Sequence, residues 1–333
     1  MKKGKKIMSF NTLIENTVIP VKYRKIIQGF YEDYLKSVPP ENKKSCLALF
    51  KTFITLIESQ IKNPCVFSHY HERVKTPFNY YQFGLDFLRP LVDFPNSKVL
   101  GLEHIEQMIS YLKKGDNIIF FANHQSESDP LAINLLLEKK HPQFAEEIIF
   151  VAGQRVLTDL LAVPFSMGYN LLCIYSKRYM DQENPEERRK KQLHNHKTMQ
   201  IMGELLATGG KSIYVAPSGG RDRMNDKGII EVAPFDAQSI EMFILMAKKA
   251  KKNTHFYPLS LATYNLLPPP KTIEQELGEM RKTQKSAIHL AFGKQIDLKI
   301  FSSILDKTVK RKEQSDYIYS EVVKNYQKIT ECL

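Results

Sequence analysis

A histidine and an aspartate five positions apart form the most chemically informative pair in the sequence. His124 and Asp129 belong to the stretch A-N-H-Q-S-E-S-D-P. A carboxylate on one imidazole nitrogen stabilises the imidazolium, so the other nitrogen can accept a proton from a hydroxyl group. The alternative is an aspartate that caps a helix beside an ordinary surface histidine, because Asp-Pro is typical of a helix start.

Two further polar segments contain basic side chains that could bind a phosphate. The segment A-P-S-G-G-R-D-R places Arg221 and Arg223 directly after a turn that contains two glycines, and the segment Y-S-K-R-Y contributes Lys177 and Arg178. Arginine forks match phosphate oxygens, and glycines let backbone N–H groups approach an anion. The alternative is solvated loop charge, paired with the neighbouring aspartates.

The pattern of predicted strands and helices around these segments indicates an α/β fold. The apolar runs that we predict to be strands are residues 98–100, 117–122, 148–152, 171–175, 212–215, 255–262 and a later pair near 288–292 and 296. The predicted helices include residues 129–139, 158–166 and 316–329. This alternation is typical of a mixed, mainly parallel central sheet flanked by helices. Ligands of such sheets bind beyond the carboxyl ends of the strands, and each polar segment follows a predicted strand.

The beginning of the chain has a different pattern, in which apolar side chains recur every three or four positions. Such segments at residues 23–38, 46–61 and 80–92 predict amphipathic helices that form a small bundle. We therefore expect a helical bundle domain at residues 1–92 and a larger α/β catalytic domain at residues 93–333.

Composition narrows the classes of function. The chain has 333 residues with 48 Lys and Arg against 36 Asp and Glu, a net charge of +12 that favours an anionic partner. It lacks an apolar run of about 18 or more residues that would span a bilayer, and its basic start lacks the apolar core of a secretory signal. Four widely spaced cysteines indicate neither a zinc site nor a disulfide framework, which fits a reducing cytosol. A basic nucleic-acid-binding module is the alternative from another class, but without a recognised motif we expect no nucleic-acid partner.

Taken in chain order, these motifs resemble the glycerolipid acyltransferase superfamily with the H-x4-D motif. The details are most similar to the soluble glycerol-3-phosphate 1-O-acyltransferases of plastids and their bacterial relatives. The ordered set is N-H-x4-D, the basic strand end, A-P-S-G-G-R-D-R and the proline-bearing strand H-F-Y-P-L at residues 255–259. The resemblance covers roughly residues 95–265 and extends to the two-domain plan, with a helical bundle before an α/β domain.

The resemblance implies a reaction and assigns residues to it. The family transfers a fatty acyl chain from acyl carrier protein, or sometimes coenzyme A, to the C1 hydroxyl of glycerol 3-phosphate. Its catalytic histidine and aspartate fall on His124 and Asp129, and its phosphate-binding arginines on Arg221 and Arg223. A thioester is already activated, so we expect no metal and no cofactor. The alternative within the enzyme class is an acyltransferase that acts on 1-acylglycerol 3-phosphate.

One position departs from the plastid pattern, which usually has Lys-His after the Ser-Lys of the second basic segment. This chain has Arg178 and Tyr179 there. Arg178 keeps the positive charge, whereas Tyr179 offers a hydroxyl in place of a cation. Lys177 is a further candidate for the same phosphate pocket.

The oxyanion of the reaction has two candidate stabilisers. One is the N-terminus of the helix that starts at Asp129, and the other is the set of backbone N–H groups in the turn formed by Ser218, Gly219 and Gly220.

The basic charge has a use in this reaction, because acyl carrier proteins are acidic. Residues 188–191 and 248–252 are candidates for a basic rim that meets the carrier, although they could equally solvate helix faces. The product, a lysophosphatidic acid, must reach a bilayer, so we also expect a reversible contact with a membrane surface.

Overall fold

The computed structural model describes residues 10–176, 183–270 and 277–331. Its α-helices are α1 (Phe10–Glu15), α2 (Val21–Ser37), α3 (Lys43–Lys62), α4 (Tyr80–Leu88), α5 (Leu102–Lys113), α6 (Asp129–Leu137), α7 (Pro142–Glu146), α8 (Arg155–Thr158), α9 (Val163–Ser166), α10 (Pro185–Thr208), α11 (Ala237–Lys249) and α12 (Lys307–Thr330). Its strands are β1 (Tyr70–His71), β2 (Lys98–Leu100), β3 (Asn117–Ala122), β4 (Ile149–Gly153), β5 (Asn170–Ile174), β6 (Ser212–Val215), β7 (Arg223–Met224), β8 (Ile230–Glu231), β9 (Thr254–Ala262) and β10 (His289–Phe292).

The described residues contain one large mixed sheet of eight strands, in the order β1-β5-β4-β6-β3-β9-β10-β2. Strands β5, β4, β6, β3 and β9 run parallel to one another. Strand β1 is antiparallel to β5, β10 is antiparallel to β9, and β2 runs parallel to β10. Strands β7 and β8 form a separate antiparallel pair. The prediction of a mixed, mainly parallel sheet flanked by helices is confirmed.

The central strand β3 is apolar on both faces because each face is covered. Ile118 and Phe120 contribute to the core that includes the N-terminal helices. Ile119 and Phe121 point the other way, into a second core that contains residues of α10, α11 and α12. A strand that is buried on both faces reads as a continuous hydrophobic run, which is the pattern from which it was predicted.

Aromatic side chains pack the N-terminal helices together and onto the rest of the molecule. The ring centroids of Phe50 and Phe87 lie 5.0 Å apart, and Tyr34 donates a hydrogen bond of 2.5 Å to the carbonyl of Phe87. Phe53 contacts Phe165 of α9 at 5.3 Å between centroids. The core therefore continues from the helices into the α/β region, and a domain boundary at residues 92 and 93 stays a prediction.

Two predicted helices were wrong in extent, for local reasons. The helix predicted at residues 158–166 is broken at Asp159, whose ψ of 119° is extended and whose carboxylate accepts a hydrogen bond of 2.9 Å from Leu161 N. The last helix begins at Lys307, well before residue 316, because the Asp306 carboxylate caps it through a 2.8 Å hydrogen bond from Thr308 N. In addition, residue 296 lies outside the strands, although its N–H donates to the carbonyl of Phe256.

Candidate active site

The predicted histidine and aspartate form a direct pair at the carboxyl end of β3. His124 Nδ1 lies 2.7 Å from Asp129 Oδ2. His124 follows the end of β3, and Asp129 is the first residue of α6. The side chain of His124 is 32% exposed, whereas that of Asp129 is 1% exposed. A carboxylate on Nδ1 favours the proton on that nitrogen, so Nε2 can accept a proton from a bound molecule.

The Asp129 carboxylate is held by groups from two parts of the chain. It accepts hydrogen bonds from Gln125 N at 2.8 Å and from Ser126 N at 3.1 Å. Thr263 Oγ1, which follows β9, donates to it at 2.5 Å. These hydrogen bonds fix the position of the carboxylate, so the aspartate both organises the loop and orients the histidine.

The glycine-bearing turn after β6 lies against the backbone of the histidine loop. Asp222 N donates a hydrogen bond of 2.6 Å to the carbonyl of His124. Gly219 has a φ of +63°, a conformation that L side chains rarely adopt, and its N–H bonds the carbonyl of Ala216 at 3.1 Å. Ser218 Oγ donates to the carbonyl of Gly220 at 2.8 Å. Ser218 and Gly219 thus shape the turn, and which group stabilises an oxyanion stays a prediction.

Arg221 and Arg223, the two predicted arginines, flank Asp222, whose N–H bonds the carbonyl of His124. The side chain of each arginine also has a hydrogen-bond partner. The guanidinium of Arg221 pairs with the carboxylate of Glu279 through two contacts of 2.8 Å. Arg223 Nη1 donates to the carbonyl of Pro270 at 2.5 Å. The backbone N–H of Asp222, between the two arginines, thus joins this part of the chain to the histidine loop. The role of the two arginines in binding a phosphate stays a prediction.

A buried polar network beneath the pair was missed by the sequence analysis. The carboxylate of Asp222, between the two arginines, accepts from Asn123 at 2.8 Å, from Gln125 at 3.2 Å and from Ala233 N at 2.9 Å. Asn123 also bridges to β9 through the backbone of Leu261, at 2.8 and 2.9 Å. The only sequence signal was the position of these polar residues directly after β3 and β6.

Burial changes the acidity of Asp222 at the centre of this network. Loss of solvent raises the pKa of its carboxyl group from 3.8 to about 6, although hydrogen bonds from Ala233, Asn123 and Gln125 act in the opposite direction. A buried carboxyl group with a pKa of about 6 therefore lies beneath the His124 loop.

Three of the predicted phosphate ligands belong to the segment that follows β5. Lys177, Arg178 and Tyr179 lie outside the described residues. The described part of this segment ends just after β5, whose carboxyl end is at the same edge of the sheet as those of β3 and β6.

Two general features of the described ranges bear on chemistry. Across residues 10–176, 183–270 and 277–331, no group of three or more His, Cys, Asp or Glu side chains is arranged to hold a metal ion. Within the same part of the chain, no helix has both the length and the apolar character needed to cross a membrane.

The fold and the site define an α/β protein with a His–Asp pair and an arginine cluster at the carboxyl ends of parallel strands. The Acyltransferase family model matches residues 97–262, which include the pair and both arginines. A chloroplastic glycerol-3-phosphate acyltransferase of Pisum sativum is 35% identical over 319 residues, covering 94% of this chain and 70% of that protein. The chain therefore belongs to the glycerol-3-phosphate acyltransferase family.

Other relatives agree over shorter alignments. Chloroplastic glycerol-3-phosphate acyltransferases of Arabidopsis thaliana and Spinacia oleracea are both 38% identical, covering 80% and 84% of this chain. The chain spans 58% of the length of each of these two. A solved structure of the 1-acyl-sn-glycerophosphate acyltransferase PlsC of Thermotoga maritima covers 75% of this chain with a TM-score of 0.41 and 19% identity, a likeness too low to carry an argument.

Proposed function

We propose that this chain transfers a fatty acyl group from an acyl thioester to the C1 hydroxyl of glycerol 3-phosphate. The observation that carries the proposal is the 2.7 Å contact of His124 with Asp129, in a loop bonded to the arginine-bearing turn. A base beside arginines suits an acceptor that has a hydroxyl group and a phosphate. The names of the related proteins support the same acceptor.

In the proposed reaction His124 Nε2 takes the proton of the C1 hydroxyl as its oxygen attacks the thioester carbonyl carbon. A C–O bond forms, the C–S bond breaks, and the proton passes from His124 to the leaving thiolate. Asp129 orients the imidazole and stabilises its charged form. General base catalysis of this kind contributes about 10²–10⁴ in rate.

In this proposal the arginines position the acceptor. Arg221 and Arg223, with Arg178 from the second basic segment, would hold the phosphate and so place the hydroxyl against His124. When two reactants are held in a productive geometry, their translational and rotational entropy is lost on binding and does not add to the barrier of the reaction.

The acyl donor is either acyl carrier protein or coenzyme A, and the net charge of +12 favours the acidic carrier. Part of the positive charge of the candidate basic rim at residues 188–191 is neutralised by acidic side chains, because Lys190 lies 3.0 Å from both Glu186 and Glu187. A carrier docking at the remaining positive charge would give a kcat/KM that falls steeply as salt is added, whereas transfer from coenzyme A would depend on salt more weakly. A reversible membrane contact stays a prediction.

The test is transfer of a labelled acyl group by the purified protein, with acyl carrier protein and coenzyme A donors in parallel. Glycerol 3-phosphate, glycerol and 1-acylglycerol 3-phosphate serve as acceptors. We expect product with glycerol 3-phosphate and a kcat/KM for glycerol lower by about 10² or more, because glycerol lacks the charged group that the arginines bind.

Each alternative result has a distinct meaning. Product formed with 1-acylglycerol 3-phosphate alone would assign the chain to the next acylation step. Equal rates with glycerol and glycerol 3-phosphate would remove the arginines from acceptor binding. Absence of transfer from every combination, by protein that melts cooperatively, would contradict the proposal.

A further inference from the structure

A buried carboxylate pairs with the predicted phosphate-binding arginine. Glu279 Oε1 lies 2.8 Å from Arg221 Nη1, and Glu279 Oε2 lies 2.8 Å from Arg221 Nη2. The side chains of Arg221 and Glu279 are 16% and 6% exposed. Glu279 also lies 3.6 Å from Arg155, which follows β4 at the same edge of the sheet. One carboxylate thus contacts arginines from two neighbouring strand ends.

This arrangement is compatible with simultaneous binding of a phosphate. A guanidinium has five N–H donors, and a bidentate carboxylate uses two of them, so a second anion can bind the others. Burial lowers the pKa of Arg221. The hydrogen bond and charge of Glu279, together with the charges of Glu127 and Asp129, more than offset this, so the pKa lies above its ordinary value. The arginine therefore stays charged although it is largely removed from water.

The backbone that carries Glu279 is held firmly in place. Gly278 N donates a hydrogen bond of 2.8 Å to the Asp159 carboxylate, and Arg281 Nη1 donates to the carbonyl of Glu279 at 3.0 Å. Arg281, 4% exposed, in turn pairs with Glu127 of the histidine loop at 2.9 Å. These contacts tie Glu279 to the loop that contains His124.

The N-terminal helices hold the same segment from the other side. Thr283 N donates a hydrogen bond of 2.6 Å to the Asp33 carboxylate of α2, and Ser37 Oγ donates to the carbonyl of Thr283 at 2.7 Å. A residue held on both sides in this way is suited to fix a neighbouring side chain, and it is poorly suited to swing aside as a gate.

We propose that Glu279 is a positioning residue for acceptor binding, which holds the Arg221 guanidinium in the orientation that receives the phosphate of glycerol 3-phosphate. The inference rests on the proposed function and deepens it. It also assigns the helical bundle a role, because α2 supports the segment that carries Glu279. Without the carboxylate, Arg221 keeps its charge but loses its fixed orientation.

The test compares Glu279→Gln with the wild type in steady-state kinetics and in direct titration with glycerol 3-phosphate by calorimetry. Gln has nearly the same volume but cannot form the charged fork. The matched control is Glu146→Gln, since Glu146 pairs with the similarly buried Arg73, the two side chains being 19% and 18% exposed. The double variant Arg221→Ala/Glu279→Gln tests whether the two residues act together.

We expect Glu279→Gln to raise the KM and the Kd for glycerol 3-phosphate by about tenfold or more, while kcat at saturating acceptor stays within a few fold. Glu146→Gln should leave the KM unchanged. The double variant should bind the acceptor no more weakly than Arg221→Ala alone. If Glu279→Gln is too unstable to assay, Glu279→Asp retains the charge with a shorter reach and should give a smaller increase in KM.

Other results would overturn the inference. An unchanged KM would remove Glu279 from acceptor binding, and a lowered KM would make it a competitor of the phosphate. Additive losses in the double variant would mean that Glu279 acts apart from Arg221. A wild type that neither binds nor acylates glycerol 3-phosphate would instead overturn the proposed function, and the inference with it.

Discussion

The same two side-chain types are paired at both ends of strands β3 and β9. At the carboxyl end, His124 lies 2.7 Å from Asp129, which also accepts from Thr263 after β9. At the amino end, His255 Nε2 of β9 lies 2.9 Å from the carboxylate of Asp116, which precedes β3. By residue type and distance alone, the two His–Asp pairs are nearly equivalent.

Their surroundings differ in ways that matter for chemistry. The ring of His255 stacks on Tyr111 with centroids 3.7 Å apart, and its side chain is 16% exposed against 32% for His124. Asp116 is 16% exposed, whereas Asp129 is 1% exposed and held by backbone N–H groups. A His–Asp pair becomes a candidate base when the carboxylate is buried and fixed while the imidazole can still be reached.

The difference between the two His–Asp pairs is tested most directly by removing each imidazole in turn. We expect His124→Ala to lower kcat by about 10³, within the range that general base catalysis supplies. His255→Ala should leave kcat within a few fold of the wild type and lower the melting temperature, because it loses the Tyr111 stack and the Asp116 pair. Comparable losses of kcat in both variants, or a fully active His124→Ala, would show that the two ends do not differ as argued.

The arginines beside His124 sharpen the comparison further. Arg221→Ala should raise the KM for glycerol 3-phosphate by about 10- to 100-fold with a smaller change in kcat, because a charged hydrogen bond is worth about 1.5–3 kcal/mol. Steady-state kinetics with acceptor varied at saturating donor measures this. Arg73→Ala is the control, since Arg73 is also paired and largely buried. Equal KM values in the two variants would place the phosphate elsewhere.

The smallest expected effect concerns the buried acid at the carboxyl end. Burial raises the pKa of Asp222 from 3.8 to about 6, so between these pH values the folded state binds more protons than the unfolded state. The contribution of this group to the free energy of unfolding is therefore fully present below the unfolded pKa of 3.8 and is lost as the pH rises through the folded pKa of about 6.

Urea unfolding at several pH values between about 4 and 7 checks this, with Asp222→Asn as the comparison. The variant cannot titrate at this position, so its free energy of unfolding should fall less than that of the wild type over the same range. Parallel pH profiles for the two proteins would mean that Asp222 titrates at its ordinary value.

The sequence predicted the central elements well because their signals are local. The apolar runs of β3 and β6 and the Asp-Pro start of α6 each lie within a few residues, and all three were located correctly. The predictions failed where one side chain decided the outcome. Asp159 has an extended backbone that interrupts the predicted helix. The Asp306 cap starts the last helix at Lys307, nine residues before the predicted start.

By itself, the amino-acid sequence determined the α/β class and the motif order that marks the family, and it offered the pairing of His124 with Asp129 as one of two interpretations. The tertiary structure decided which distant groups complete the site. Thr263 reaches Asp129 across 134 positions, and Glu279 reaches Arg221 across 58. Such contacts depend on which strands lie side by side in the sheet and on which segment packs over their ends. Neither is encoded in a local spacing, so the partners of Arg221 and the support from the N-terminal helices became visible only in the folded chain.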